Sequence, residues 1–161
     1  MDDRAEMPML TLPALRERLT KHQRLIGIDL GSKTIGLALS DVELTLASPF
    51  GSLKRGKLKA NVAEILAIAG KENAGGLVVG LPLSMDGTAG PAAQAASDWA
   101  LALSVATGLP AALFDERLSS VAANRFLISG ADVSRRKRAG SVDRLAATWI
   151  LQAALNVSRL T

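Results

Sequence analysis

At 161 residues, 48% of them hydrophobic, the chain has the length of one domain and enough apolar material to bury a core. It contains no cysteine and one histidine, His22, which excludes disulfides, thiolate nucleophiles, zinc clusters and Ser-His-Asp triads. Hydrolytic chemistry must therefore come from carboxylates, hydroxyls, amines or a bound metal, and a net charge of +4 permits a polyanionic partner without requiring one.

The chain opens on Asp2, Asp3 and Glu6, acidic where a secretory signal would be basic, and reads as cytoplasmic. Residues 1–22, with Pro8, Pro13 and a short helical stretch at 15–19, read as an N-terminal extension of a single domain over 23–161. Strands are predicted at 25–30 and 35–40 and, more weakly, at 45–53 around Pro49, giving an antiparallel meander. The segment 58–73 places Val62, Ile65, Leu66 and Ala69 on one helical face and is predicted to stop at Gly75-Gly76. Residues 77–81 form a continuous apolar run, a central strand covered on both faces. An alanine-rich helix at 92–107 and a strand at 111–114 follow, then helices at 120–129 and 141–157 separated by a basic stretch at 134–138. The longest uncharged window, 99–114, is broken by Gly108 and Pro110 and falls short of the roughly 20 residues a bilayer crossing needs, so no membrane association is expected. The order predicts an α/β fold with a mixed five-stranded sheet, three antiparallel strands then two parallel, flanked by helices.

Chemistry concentrates in acids. Asp29 lies inside the apolar run 25–31, where an ionised carboxylate without a partner would cost several kcal/mol; it suits a metal or a ligand reached through one, or else hydrogen bonds from Ser32, Lys33 or Thr34 that shape the turn. Asp115-Glu116 ends a strand, and only one of the two can share a face with Asp29. Asp143 falls in the first turn of the helix Ser141 would cap, where the helix dipole alone also favours an acid. Together, as hard oxygen donors, they suit Mg²⁺ or Mn²⁺. Two such ions about 4 Å apart can activate water and stabilise the leaving oxygen of a phosphodiester.

Lys54, Arg55, Lys57 and Lys59 read as a solvated charge run. Arg135, Arg136, Lys137 and Arg138, between Gly130 and Gly140, read as a basic loop beside Asp143 that orders on a nucleic-acid backbone. With aromatics at 3% and no tyrosine, contact with phosphates is expected rather than base stacking. Ser84, Asp86 and Thr88 occupy a loop after the central strand, either a plain Asp-Gly turn or a substrate-facing loop at a strand's carboxyl end.

Four segments in this order resemble the YqgF (RuvX) family: Gly27-Ile28-Asp29-Leu30-Gly31-Ser32-Lys33-Thr34-Ile35-Gly36, Val79-Gly80-Leu81-Pro82 with Met85-Asp86-Gly87-Thr88, Asp115-Glu116-Arg117-Leu118-Ser119, and Val142-Asp143-Arg144-Leu145-Ala146-Ala147. That family has an RNase H-like fold and is described as Holliday junction resolvases and as nucleases for precursor 16S ribosomal RNA. The resemblance implies that Asp29, Glu116 and Asp143 form the acidic site of a nuclease dependent on Mg²⁺ or Mn²⁺. It implies nucleic-acid contacts at Lys33 and 135–138 and a phosphate or structural contact at Arg117, with structured RNA or branched DNA as partner. RuvC-type resolvases carry an acid on the central strand; residues 77–83 carry none, and Glu116 would substitute for it. Ser84 stands where the family pattern expects Asn. A resolvase cutting two symmetric strands would need a homodimer, for which the apolar stretch 101–105 offers a face that reads equally as core.

Two other classes compete. One is an RNase H-like module that binds nucleic acid without cutting it. The other is an actin-like ATPase or sugar kinase, prompted by the Asp29-x-Gly31 and Asp86-Gly87-Thr88 turns, although such enzymes normally duplicate this fold and one copy is present here.

Overall fold

A computed structural model describes residues 9–119 and 135–159, the stretch 135–144 by its backbone alone. Strand β1 (Met9–Leu10) and helix α1 (Leu12–Arg18) precede β2 (Arg24–Leu30), β3 (Thr34–Ser40) and β4 (Ala47–Lys54). Helix α2 (Leu58–Glu72), β5 (Ala74–Leu81), α3 (Pro91–Thr107) and β6 (Ala111–Asp115) follow, then a 3₁₀ turn (Glu116–Leu118) and α4 (Arg135–Arg159). The helix expected at 120–129 lies outside the described residues.

The sheet has six strands in the order β1-β6-β5-β2-β3-β4, one more than the five expected. β2, β3 and β4 are antiparallel, while β1, β6, β5 and β2 run parallel. The added strand is Met9–Leu10, too short for a periodicity argument to find, pairing with Ala111 and Ala112 of β6. Residues 9–18 are thus built into the sheet and its core: Leu15 of α1 is fully buried.

Alternation along the strands produces two cores. Ile26, Ile28, Leu77 and Val79 pack with Ile65 and Ala69 of α2 and Ala100 and Leu103 of α3. Leu25, Ala38, Val78, Ala112 and Phe114 face the other way, beneath Ala147, Ile150, Leu151 and Ala154 of α4. No helix among the described residues is long and apolar enough to cross a membrane.

Two readings of local structure are corrected. Gly75-Gly76 does not stop α2; Asn73 does so, in the left-handed conformation (φ 55°) with its N–H donating to the Ala69 carbonyl. The glycines belong to β5, and a Cβ on Gly76 would stand 2.7 Å from Leu15 Cδ1, so the missing side chain is what seats α1. The second correction concerns 135–138, which is the first turn of α4 rather than a loop; Arg and Lys are good helix formers, and Gly140 falls inside the helix instead of ending a loop.

Candidate active site

Asp29 is the sixth residue of the apolar strand β2 and is only 2% exposed. Two residues earlier on the same face lies Gly27, whose absent Cβ would meet Leu151 Cβ at 2.7 Å and the Ala147 carbonyl at 3.0 Å. Asp29 therefore points to the side of the sheet that α4 covers. Its pairing partner on β3 is Gly36. Immediately after β2 the chain turns tightly: the Gly31 N–H donates to the Thr34 carbonyl at 2.8 Å, and a Cβ on Gly31 would sit 2.7 Å from that same oxygen. Arg55 staples this turn from β4's side, its guanidinium donating to the Gly31 carbonyl and its N–H to the Lys33 carbonyl, both at 2.9 Å.

Glu116 arrives from the far side. β6 ends at Asp115, whose carboxylate accepts from the Arg117 N–H at 3.0 Å and caps the 3₁₀ turn. That turn rotates the next residue inward, and Glu116 is 5% exposed. The space it occupies belongs to a missing side chain: a Cβ on Gly80 would stand 2.8 Å from Glu116 Oε1 and 2.6 Å from Ile150 Cδ1. Since Val79 pairs with Ile28, Gly80 is level with Asp29, one strand spacing away, about 4.8 Å. The absence of an acid on the central strand and the reach of Glu116 across it are thus one arrangement, in which Gly80 leaves the room and Glu116 fills it.

Asp115, the other half of the acidic pair, turns to Arg117. The guanidinium donates through Nε and Nη2 to the carboxylate, the shortest contact being 2.7 Å, and through Nη1 to the Met85 carbonyl at 3.1 Å. This holds the Asp115 carboxyl below the usual range and raises Arg117. The loop it grips is closed by its own bonds: Asp86 accepts from the Thr88 hydroxyl at 2.6 Å and the Thr88 N–H at 2.9 Å, which depresses the Asp86 carboxyl. The Ser84 N–H donates to the Thr88 carbonyl, and Gly87 takes φ 88° beside the guanidinium. Ser84, Asp86 and Thr88 are exposed, as is Lys33.

The structure thus brings Asp29 and Glu116 together and sets Arg117 against the loop containing Ser84, Asp86 and Thr88. The side chains of Asp143, Arg135, Arg136, Lys137 and Arg138 lie outside the described residues. Among the described residues no group of three acids or histidines gathers at metal-binding range. Sequence reasoning missed Gly80 and Arg55, although the Val79-Gly80-Leu81-Pro82 motif was visible; a glycine's purpose emerges only when the side chain entering its space is known.

The RuvX family model, described as Holliday junction resolvase, matches residues 23–157. The chain belongs to this family. A RuvX relative from Gluconacetobacter diazotrophicus, named "Putative pre-16S rRNA nuclease", is 59% identical over 152 residues, 94% of this chain and 99% of that protein. One of the same name from Acidiphilium cryptum is 58% identical over 94% of this chain and 95% of its own length. Among solved structures, Thermus thermophilus RuvC in complex with a Holliday junction substrate superposes with a TM-score of 0.55 at 16% identity, covering 87% of this chain and 98% of that one. That likeness places the RuvX fold among RuvC-like folds.

Proposed function

We propose that this RuvX protein is a metal-dependent endonuclease that hydrolyses phosphodiester bonds in the precursor of 16S ribosomal RNA, in the cytoplasm. The observation that carries this reading is the buried pair Asp29 and Glu116 on one sheet face, with Gly80 between them. Relatives of nearly the same length carry the RNA-nuclease name, which supports the substrate.

The donor chemistry fits Mg²⁺ or Mn²⁺: carboxylate oxygens only, in a site with no nitrogen or sulfur ligand among its candidates. Asp29, Glu116 and Asp143 would hold the ion. Gln152 accepts from the Ala47 N–H at 2.9 Å, which sets the carboxyl-terminal half of α4 beside the Ser40 end of β3 and makes α4 antiparallel to β2. Position 143 precedes Ala147 by four helical residues, about 6.0 Å, and Asp29 follows Gly27 by two strand residues, about 6.7 Å; these matched steps support Asp143 as the third acid. A divalent ion bound there would polarise the phosphoryl oxygen and lower the pKa of water. The protein's own part is to exclude bulk water around Asp29 and Glu116 and to fix the 82–88 loop through Arg117.

A second reading, cleavage of a branched DNA junction by a homodimer, is favoured by the description of the family model. Cleavage of a labelled precursor 16S RNA fragment and of a four-way DNA junction, each with Mn²⁺, Mg²⁺ or EDTA, decides between them. Metal-dependent cutting of the RNA, lost in Asp29→Asn, is expected. Cutting of the junction alone would give the second reading, and binding without cutting of either would overturn both.

A further inference from the structure

We propose that Lys33, Lys54 and Lys57 form a rigid phosphate-backbone site on the β4 side of the acidic pair, through which the chain grips its nucleic-acid substrate. This rests on the nuclease reading and extends the contact expected at Lys33 to Lys54 and Lys57, which the sequence presents only as part of a solvated charge run.

The strand register brings them to the site. Gly36 pairs with both Asp29 and Ser52, and two residues along, Thr34 pairs with Lys54. Paired residues of antiparallel strands project to the same side, so Lys54 shares the face of Asp29. Two strand spacings and one two-residue step separate them, about 12 Å between backbones. Lys33 joins this corner because the Arg55 N–H bonds its carbonyl at 2.9 Å.

The corner is held in place by a buried polar residue with no other evident task. Asn61 is fully buried on α2; it donates to the Lys54 carbonyl at 3.0 Å and accepts from the Gly56 N–H at 3.0 Å. Its amide also engages Glu64, the nearest acid along α2, at 3.0 Å. Arg55 spends its guanidinium on the Gly31 carbonyl, just beyond Asp29. Two side chains are thus committed to fixing the backbone of 54–57 against the turn after Asp29.

What they present is uncompensated charge. Lys33, Lys54 and Lys57 are exposed, and among the described residues none forms an ion pair. Arg117, across the sheet, differs: its charge is already met by Asp115. Among the described residues, then, a polyanion lying over the acids finds unpaired cations on the β4 side.

The test is binding and cleavage of a labelled precursor 16S RNA fragment by the full chain across a salt series, comparing Lys54→Ala/Lys57→Ala with Lys21→Ala/Lys71→Ala. The control removes the same charge from exposed lysines at the opposite end of the sheet. Each lost phosphate contact lowers the slope of log K against log salt by about 0.7–0.9, so the double variant should lose roughly 1.4–1.8 while the control keeps the wild-type slope. KM should rise with kcat unchanged, because these contacts hold substrate away from the reacting bond. Equal slopes and KM in the two variants, with wild-type binding intact, would overturn the lysine site alone. Failure of the unaltered chain to bind the RNA would overturn this inference and the RNA-nuclease reading together.

Discussion

Gly80 and Gly27 lie on one sheet face under one helix, yet a single methyl group at each should have opposite consequences. In Gly27→Ala the new carbon meets Leu151 Cβ at 2.7 Å and the Ala147 carbonyl at 3.0 Å, both fixed to the backbone of α4. Reaching an ordinary 3.4 Å contact requires the helix to withdraw by roughly 0.7 Å, and overpacking of this kind costs about 1–3 kcal/mol. In Gly80→Ala the neighbours are Ile150 Cδ1 at 2.6 Å and Glu116 Oε1 at 2.8 Å, both at the ends of side chains that can rotate. The strain is relieved by displacing the Glu116 carboxylate, and misplacing a reacting group by about 1 Å costs on the order of 10²-fold in rate. Thermal unfolding and single-turnover cleavage of the RNA fragment, run on both variants, separate the effects. Gly27→Ala should lower Tm by several degrees, while Gly80→Ala should lose most cleavage with a smaller change in Tm. Full cleavage by Gly80→Ala would refute the claim that Glu116 depends on the space above that glycine.

Three further outcomes are expected. Leu15→Ala, which empties a fully buried site against Gly76 and Leu25, should destabilise the fold by about 3 kcal/mol in denaturant titration. Asn61→Ala leaves the Gly56 N–H and the Lys54 carbonyl without their bonds to that side chain and should cost about 1–3 kcal/mol, measured the same way. The bonds from Arg117 depress Asp115 in the folded state, so the stability they contribute is present above the unfolded carboxylate value near 3.9 and is lost as pH falls through the lower folded value. Unfolding followed from pH 6 to pH 2 should therefore show a weaker acid dependence in Arg117→Ala than in the wild type. An unchanged profile would mean the pair contributes nothing.

The strands were legible because burial on one or both faces leaves a direct trace in the sequence: β2, β3 and β5 have apolar runs that could lie nowhere else, and their observed limits differ from expectation by a few residues at most. Asp29 stood out for the same reason, as a charge inside such a run. The two-residue period also required Asp115 and Glu116 to part, and in the structure Glu116 is buried while Asp115 meets Arg117. Relations between distant segments were not legible. Gly76 looked like a helix stop because Leu15, 61 residues earlier, leaves no local mark on it. Arg55 looked like solvent-facing charge because the Gly31 carbonyl that its guanidinium meets becomes a neighbour only when the β3–β4 hairpin closes. The basic turn at 135–138 was read as a loop from its glycine borders, whereas helix propensity and the apolar stripe further along α4 extend the helix through it.

Met9–Leu10 is only two residues long and lies outside the span of the family match, yet it occupies the outer flank of β6, the strand that delivers Glu116. A chain shortened to begin at residue 23 would leave the backbone groups of Ala111 and Ala112 facing solvent at the sheet's border. Such a row recruits strands from other molecules. Met9–Leu10 thus cover that border, and shortened forms should form oligomers through the strand on which the candidate site depends, as sizing of the two chains side by side would show.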